Sequence, residues 1–305
     1  MGKAKGNITN WKLYNSALKQ RGSLTFWMDE KAIELWNNTE RSGRRGRSQT
    51  YSDTAIATAL MIKGVFKLPL RALEGFINSL FRLLKVDLKS PDYSCISKRA
   101  KTVEVNYRLP SQGQAAHLVI DATGLKVFGE GEWKVRKHGA EKRRVWRKLH
   151  MAVDAQSHQI VSAEVSMDWV HDSEVLPTLL RPLRRKVKAV SADGAYDTRQ
   201  SYQEVQRKKA VALIPPRKNA GMWEAGHPRN VAVKALKQGE LENWKRDNAY
   251  HLRSLSETAM YRFKQLLSDK LSLRCYNAQV GEIMAGVCAL NKMSRLGMPA
   301  RQLAE

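Results

Sequence analysis

From about Gln114 the chain changes texture: short apolar runs alternate with helical stretches, and that order constrains the fold more than any other feature. "HLVI" (117–120) reads as a short buried strand ending at Asp121. "LHMAVDAQSHQIVSAEVS" (149–166) reads as two strands joined by a polar turn, a hairpin. "DSEVLPTLLRPLRR" (172–185) has helical character, with Asp172 or Ser173 as cap and Pro177 tolerated near its start. "VKAVSA" (187–192) is another strand, leading into Asp193. Asp197 and Gln200 have capping-box spacing and open the helix "TRQSYQEVQRKK". "AVALI" (210–214) is a fifth strand, halted by Pro215 and Pro216. No proline falls between Pro228 and Pro299, which leaves room for long terminal helices. Three strands, a helix, a strand, a helix, a strand and then helices predict an α/β fold: a mixed sheet flanked by helices.

The first part of the chain reads differently. Ser52 is a good N-cap for "DTAIATALMIKGVF" (53–66), "LRALEGFINSLFRLL" (70–84) is a second helix, and "YSCISKRAK" (93–101) a shorter third. Lys98 and Arg99 crowd the end of that third helix. Three helices with tight turns are compatible with a helix-turn-helix module, and equally with any small bundle. The basic run "RSGRRGR" (41–47) reads as a flexible arm. We therefore expect a mostly helical, DNA-binding region over 1–110 and an α/β domain over 111–305.

Charge supports a nucleic-acid partner. Lys and Arg number 53 against 29 Asp and Glu, a formal charge of +24, and such an excess calls for an acidic partner. A ribosomal or membrane-surface role fits the charge as well. Three scattered cysteines show no metal-ligand spacing and suit a reducing cytoplasm. The N-terminus has no apolar export segment, and no apolar run reaches membrane-spanning length. Neither a membrane partner nor a zinc site is expected.

Two aspartates, Asp121 and Asp193, follow apolar strands directly. Groups at strand ends gather in one crevice of an open α/β sheet. Two such carboxylates repel unless a cation joins them, and hard oxygen donors without Cys or His point to Mg²⁺ or Mn²⁺. Paired ions suit in-line phosphoryl displacement. In "YHLRSLSETAMYRFK" (250–264), at about 100° per residue, Arg253, Glu257, Tyr261 and Lys264 share one helix face. Leu252, Leu255, Ala259, Phe263 and Leu266 form the opposite, inward stripe. Glu257 is the best third acid. A strand-end Asp is equally a turn former or cap, and Asp154, Asp168, Asp172 and Asp197 occupy similar positions. Glu224, Glu240 and Glu242 are rival third acids.

These segments carry a resemblance. Tyr250, Arg253, Glu257 and Lys264 match the Y-(2)-R-(3)-E-(6)-K signature of bacterial insertion-sequence DDE transposases. "HLVIDATGLKVFGEGEWKVRKHG" and "VSADGAYD" are similar to the segments bearing that family's first and second aspartates. "RRVWRKLHMAVDAQSHQIV", "HDSEVLPTLL" and "PDYSCISKR" resemble the group often called the insertion sequence five family, so the likeness runs from about Tyr51 to Leu290. It implies a ribonuclease-H-like core with a five-stranded mixed sheet and Asp121, Asp193 and Glu257 as a triad holding two Mg²⁺ or Mn²⁺ ions. It also implies binding of terminal inverted repeats by the N-terminal region, cleavage of double-stranded DNA and strand transfer by a homo-oligomer in the bacterial cytoplasm, at the nucleoid. Tyr250, Arg253 and Lys264 would contact DNA. A nuclease without strand transfer and a non-catalytic repressor derived from a transposase are the alternatives.

The segment 126–148 places Lys134, Arg136, Lys137, Lys142, Arg143, Arg144, Arg147 and Lys148 around Trp133 and Trp146. Basic residues interleaved with indoles suit a DNA-gripping loop, although both tryptophans packing inward is the plainer alternative.

Overall fold

The computed structural model describes residues 7–39, 48–108, 115–127 and 145–300. The basic arm 41–47 lies outside them, as do Trp133, Arg136, Lys137, Arg143 and Arg144. The chain divides into two compact units, Met1–Tyr107 with Leu273–Glu305, and Arg108–Ser272. Beside the expected break near residue 110 there is thus a second, because the last helix packs with the N-terminal helices.

The helical unit begins with α1 (Trp11–Gln20), α2 (Leu24–Trp27) and α3 (Glu30–Glu34), followed by α4 (Asp53–Phe66), α5 (Leu70–Leu83) and α6 (Tyr93–Arg99). Ser52 caps α4 as expected, its hydroxyl accepting from the Ala55 N–H at 3.0 Å. Every residue from Ala55 to Lys63 is buried, so α4 is the central helix of the unit. Elsewhere in the unit Trp36 and Phe81 meet edge to face at 5.0 Å.

The second unit carries a sheet of order β3-β2-β1-β4-β5. β1 (Ala115–Val127), β2 (Trp146–Asp154) and β3 (Ile160–Met167) form an antiparallel meander. After α7 (Asp172–Leu180), β4 (Val187–Ser191) pairs parallel with β1; after α8 (Arg199–Arg207), β5 (Val211–Leu213) pairs parallel with β4. Then come α9 (Arg229–Lys237), α10 (Leu241–Asp247) and α11 (Ser254–Leu266). A sixth strand, β6 (Lys270–Leu271), which the sequence did not signal, pairs with the far end of β1 at Lys126 and Val127. This mixed order is the ribonuclease-H-like sheet, one short strand larger than expected.

One face is sealed by Leu118, Ile120 and Val190 packing on Leu176, Leu179 and Val205 of α7 and α8. The pleat turns Val119 and Asp121 to the other face, where α11 lies against β1 and β2. The helix buries Ser256, Ala259, Met260 and Phe263 there. Leu252, Leu255 and Leu266 are only half-buried, so the stripe is rotated from the one expected. For Leu252 the cause is local: Tyr250–Arg253 form a 3₁₀ turn, which winds more tightly than the α-helix and puts that residue out of phase with the rest.

The last helix, α12 (Tyr276–Leu296), returns to the first unit and packs on α4. Glu282 and Lys63 pair at 2.5 Å in its interior. Gly281 allows the backbones to meet: a Cβ there would stand 2.2 Å from the Ala100 carbonyl oxygen.

Candidate active site

β1 does not end at Asp121 but continues to Val127, held by β2 on one side and β6 beyond. The level of the crevice is set instead by its parallel neighbour. Val119 pairs with Ser191, the last residue of β4, so Asp121 and Asp193 each lie two residues past the same rung. Register, rather than a shared strand end, brings them to one place.

Asp193 is also a cap, as the plainer reading held. Its Oδ1 accepts from the Ala195 N–H at 2.9 Å and starts the 3₁₀ turn Gly194–Tyr196. Arg217, just past β5, donates to the Gly194 and Ala195 carbonyls at 3.2 and 3.4 Å, fixing that turn from outside. Asp197 does not open α8; Thr198 caps it, accepting from the Ser201 N–H at 3.2 Å. Asp197 instead forms a bidentate pair with Arg229, at 2.5 and 2.7 Å, and accepts from the Arg217 N–H at 3.2 Å. Trp223 lies 4.2 Å under the Arg229 guanidinium. Nothing near Asp197 in the sequence announces a partner so far along the chain.

Arg253 joins the third acid to the first. One Nη donates to Asp121 Oδ2 at 3.0 Å, and the other donates to Glu257 Oε1 one helical turn on. Burial works against the guanidinium's charge, but the surrounding carboxylates, Asp121 foremost, outweigh it and hold the pKa above its ordinary value. Burial pushes the Asp121 carboxyl above the usual carboxylate range; the Ala122 N–H and Arg253 oppose the rise and the charge of Asp193 adds to it. Tyr250 donates its hydroxyl to the Ala192 carbonyl at 3.2 Å, tying the 3₁₀ turn to the end of β4. Burial pushes that hydroxyl up to about 12, with Asp193, Asp121 and Glu257 adding to the shift and Arg253 opposing it. A single phenol therefore feels all three acids, which places them in one electrostatic neighbourhood.

Five of the seven rival acids have other work, Asp197 already described among them. Asp154 accepts from Ser157 at 2.8 Å in the hairpin turn, and Asp172 pairs with Lys148 at 3.0 Å. Glu224 pairs with Arg199 at 2.7 Å and Glu242 with Lys245 at 2.6 Å. Several cations expected to face a ligand turn inward too. Lys148 also donates to the Val170 carbonyl at 2.8 Å, while Arg99 donates to the Tyr51 carbonyl at 2.8 Å and pairs with Asp53 at 2.5 Å. Lys98 stays exposed. Trp146 lies over Gly124, where a Cβ would come within 3.3 Å of the indole, and keeps 37% of its surface exposed. Lys264 is half-buried on α11 and makes no hydrogen bond or ion pair among the described residues. A cavity of about 360 Å³ beside the Asp193 turn is lined by Lys148 and Arg217 but equally by Asp172 and Glu174, so its charges balance.

Among the described residues no three His, Cys, Asp or Glu side chains converge on one point. A guanidinium lies between two of the acids, Asp121 and Glu257. That guanidinium stands in for a cation, and the donors around it are all carboxylate oxygens, the set that hard divalent ions prefer. Asp121 and Glu257 thus stand close enough to share one cation, here the arginine's.

Sequence comparison bears on the same segments. Two family profiles, both described as Transposase DDE domain, match residues 19–130 and 112–292. Among solved structures, a cryo-EM structure of the piggyBac transposase synaptic complex with hairpin DNA aligns with 95% of this chain and 76% of its own, at 12% identity and a TM-score of 0.41. The Drosophila P element transposase strand transfer complex aligns with 68% of this chain and 47% of its own, at 12% identity and a TM-score of 0.30. Neither likeness is close enough to locate a functional residue.

Proposed function

The chain belongs to the transposase DDE domain family, and on that premise we propose that it cuts DNA at the ends of an insertion sequence and joins the freed ends to target DNA. The observation that carries this reading is the Arg253 bridge between Asp121 and Glu257, set beside the register that aligns Asp121 with Asp193. In it, Asp121, Asp193 and Glu257 hold the divalent ions, two of them, Mg²⁺ or Mn²⁺. Such ions supply charge neutralisation at the phosphodiester and activation of the attacking oxygen. The chain's own residues do the rest. Tyr250 fixes the turn that carries Arg253, and burial keeps its phenol protonated at neutral pH, as a donor. Lys264, with no partner among the described residues, is placed on the helix of Glu257 to meet a backbone phosphate.

Within this proposal the helical unit, with Lys98 exposed on it, reads the terminal inverted repeats. The segment bearing Trp133, Arg136, Lys137, Arg143, Arg144 and Trp146 grips DNA, and two or more copies pair the element's ends. Membership of the insertion sequence five group and a place beside bacterial cytoplasmic DNA belong to the same proposal. Among the described residues no helix is long and apolar enough to cross a membrane. The decisive experiment is cleavage and strand transfer of a duplex carrying an element end, in Mg²⁺, by wild type and Asp121→Asn. The variant binds the end and does not cut it. Undiminished cutting by the variant removes Asp121 from the site, and cutting without joining of a precleaved end by wild type leaves only a nuclease.

A further inference from the structure

We propose that Arg253 is a displaceable counter-cation: it closes Asp121 and Glu257 to divalent ions until a DNA phosphate draws its guanidinium away. The inference rests on the metal-holding role just proposed for the triad and adds a control on when metal enters.

Three features support it. First, both oxygens of Asp121 are already engaged, Oδ1 by the Ala122 N–H at 2.9 Å and Oδ2 by Arg253 at 3.0 Å, and Glu257 Oε1 is held by the same guanidinium. An ion cannot share Asp121 and Glu257 while the fork lies between them. Second, the arginine side chain can move without its backbone. The 3₁₀ turn is anchored separately by Tyr250 to the Ala192 carbonyl, and 20% of the arginine side chain reaches solvent. Third, the planar fork that takes two carboxylates fits a phosphate equally well, so the arginine exchanges one anion for another with the same hydrogen-bond geometry.

The consequence is reciprocal coupling. If DNA releases the carboxylates for metal, metal must tighten DNA to the same degree. A chain without DNA then remains poorly loaded with metal.

Calorimetric titration of the full chain with Mn²⁺, without DNA, tests this on wild type and Arg253→Lys. Lysine keeps the charge but cannot bridge both acids, so a general electrostatic effect predicts no change. Loss of the bridge predicts Mn²⁺ binding roughly tenfold tighter, the equivalent of one charge-assisted hydrogen bond. An added duplex end should then tighten Mn²⁺ in wild type by about that factor more than in the variant. Circular dichroism establishes that the variant is folded. As a measurement free of substitution, Mg²⁺ added to wild type should speed hydrogen exchange at the Arg253 guanidinium. Equal Mn²⁺ affinity in the two proteins, or unchanged guanidinium exchange at saturating Mg²⁺, overturns the lock alone. Failure of both proteins to bind Mn²⁺, with or without DNA, overturns the metal role of the triad and the lock with it.

Discussion

Replacing Arg229 with Met should destabilise the sheet-bearing unit severely. The Arg229 and Asp197 side chains are 4% and 1% exposed, joined by hydrogen bonds of 2.5 and 2.7 Å, and Arg229 also donates to the Gly221 carbonyl at 2.7 Å. Methionine keeps most of the stem packing near Trp223 but leaves the Asp197 carboxylate buried with only the Arg217 N–H, at 3.2 Å. Breaking one side of such a pair costs about 3–5 kcal/mol. For a unit of this size that is a fall of roughly 6–20 °C in melting temperature. The assay is thermal and urea unfolding of Arg229→Met, Asp197→Leu and the double variant, followed by circular dichroism. The double variant should recover much of the loss, since two apolar side chains leave no orphaned charge. DNA cutting by Arg229→Met should drop even where the chain is folded, because Arg217 and the turn after Asp193 lean on the same carboxylate. A single-variant loss under about 1 kcal/mol, the worth of a solvent-screened pair, refutes the reasoning.

Three further outcomes are expected. His150 is fully buried against Ser166 at 2.8 Å, and burial lowers its pKa to about 4. The unfolded chain therefore binds a proton between pH 6.5 and about 4 that the folded chain refuses, so stability is lost as pH falls through that window, by roughly 3 kcal/mol; His150→Gln should flatten that part of the urea-midpoint profile. Gly281→Ala forces its new Cβ to within 2.2 Å of the Ala100 carbonyl oxygen unless the helices part, which should cost about 1–3 kcal/mol in unfolding of the helical unit. Tyr250→Phe removes the bond to the Ala192 carbonyl, and should lower stability by about 0.5–1.5 kcal/mol and the rate of end cleavage more than the affinity for the end.

What the sequence discloses here is what is local. Ser52 and the apolar run behind it place α4 to the residue, whereas the strand end read at Asp121 is in fact mid-strand, and only the β1–β4 register sets it level with Asp193. Glu257 and Lys264 are legible on one face of α11 because a helix has a fixed period, and Arg253, in the 3₁₀ turn before it, still reaches Glu257. The failures involve partners distant along the chain. Asp197 looked like a cap because Gln200 stood at the right spacing, whereas Arg229, thirty-two residues on, outcompetes it. Lys148 looked like one of a basic cluster until Asp172 claimed it. Arg99 points to Tyr51 and Asp53 rather than outward. β1 runs past Asp121 because β2 and β6 continue to pair with it, and a strand's length depends on neighbours its own residues do not name.

The chain leaves its helical unit at Tyr107 and re-enters it at Leu273, and α12 is the cover for α4. During synthesis α4 therefore emerges long before its cover. At about 5–20 residues per second the delay is on the order of ten to fifty seconds. Through that interval an apolar helix waits for shelter, a natural substrate for chaperones. A ribosome that stops early releases a polypeptide in which α4 still meets α5 and α6 but lacks its largest partner, α12. The late arrival of α12 thus ties the burial of α4 to a segment made more than two hundred residues after it.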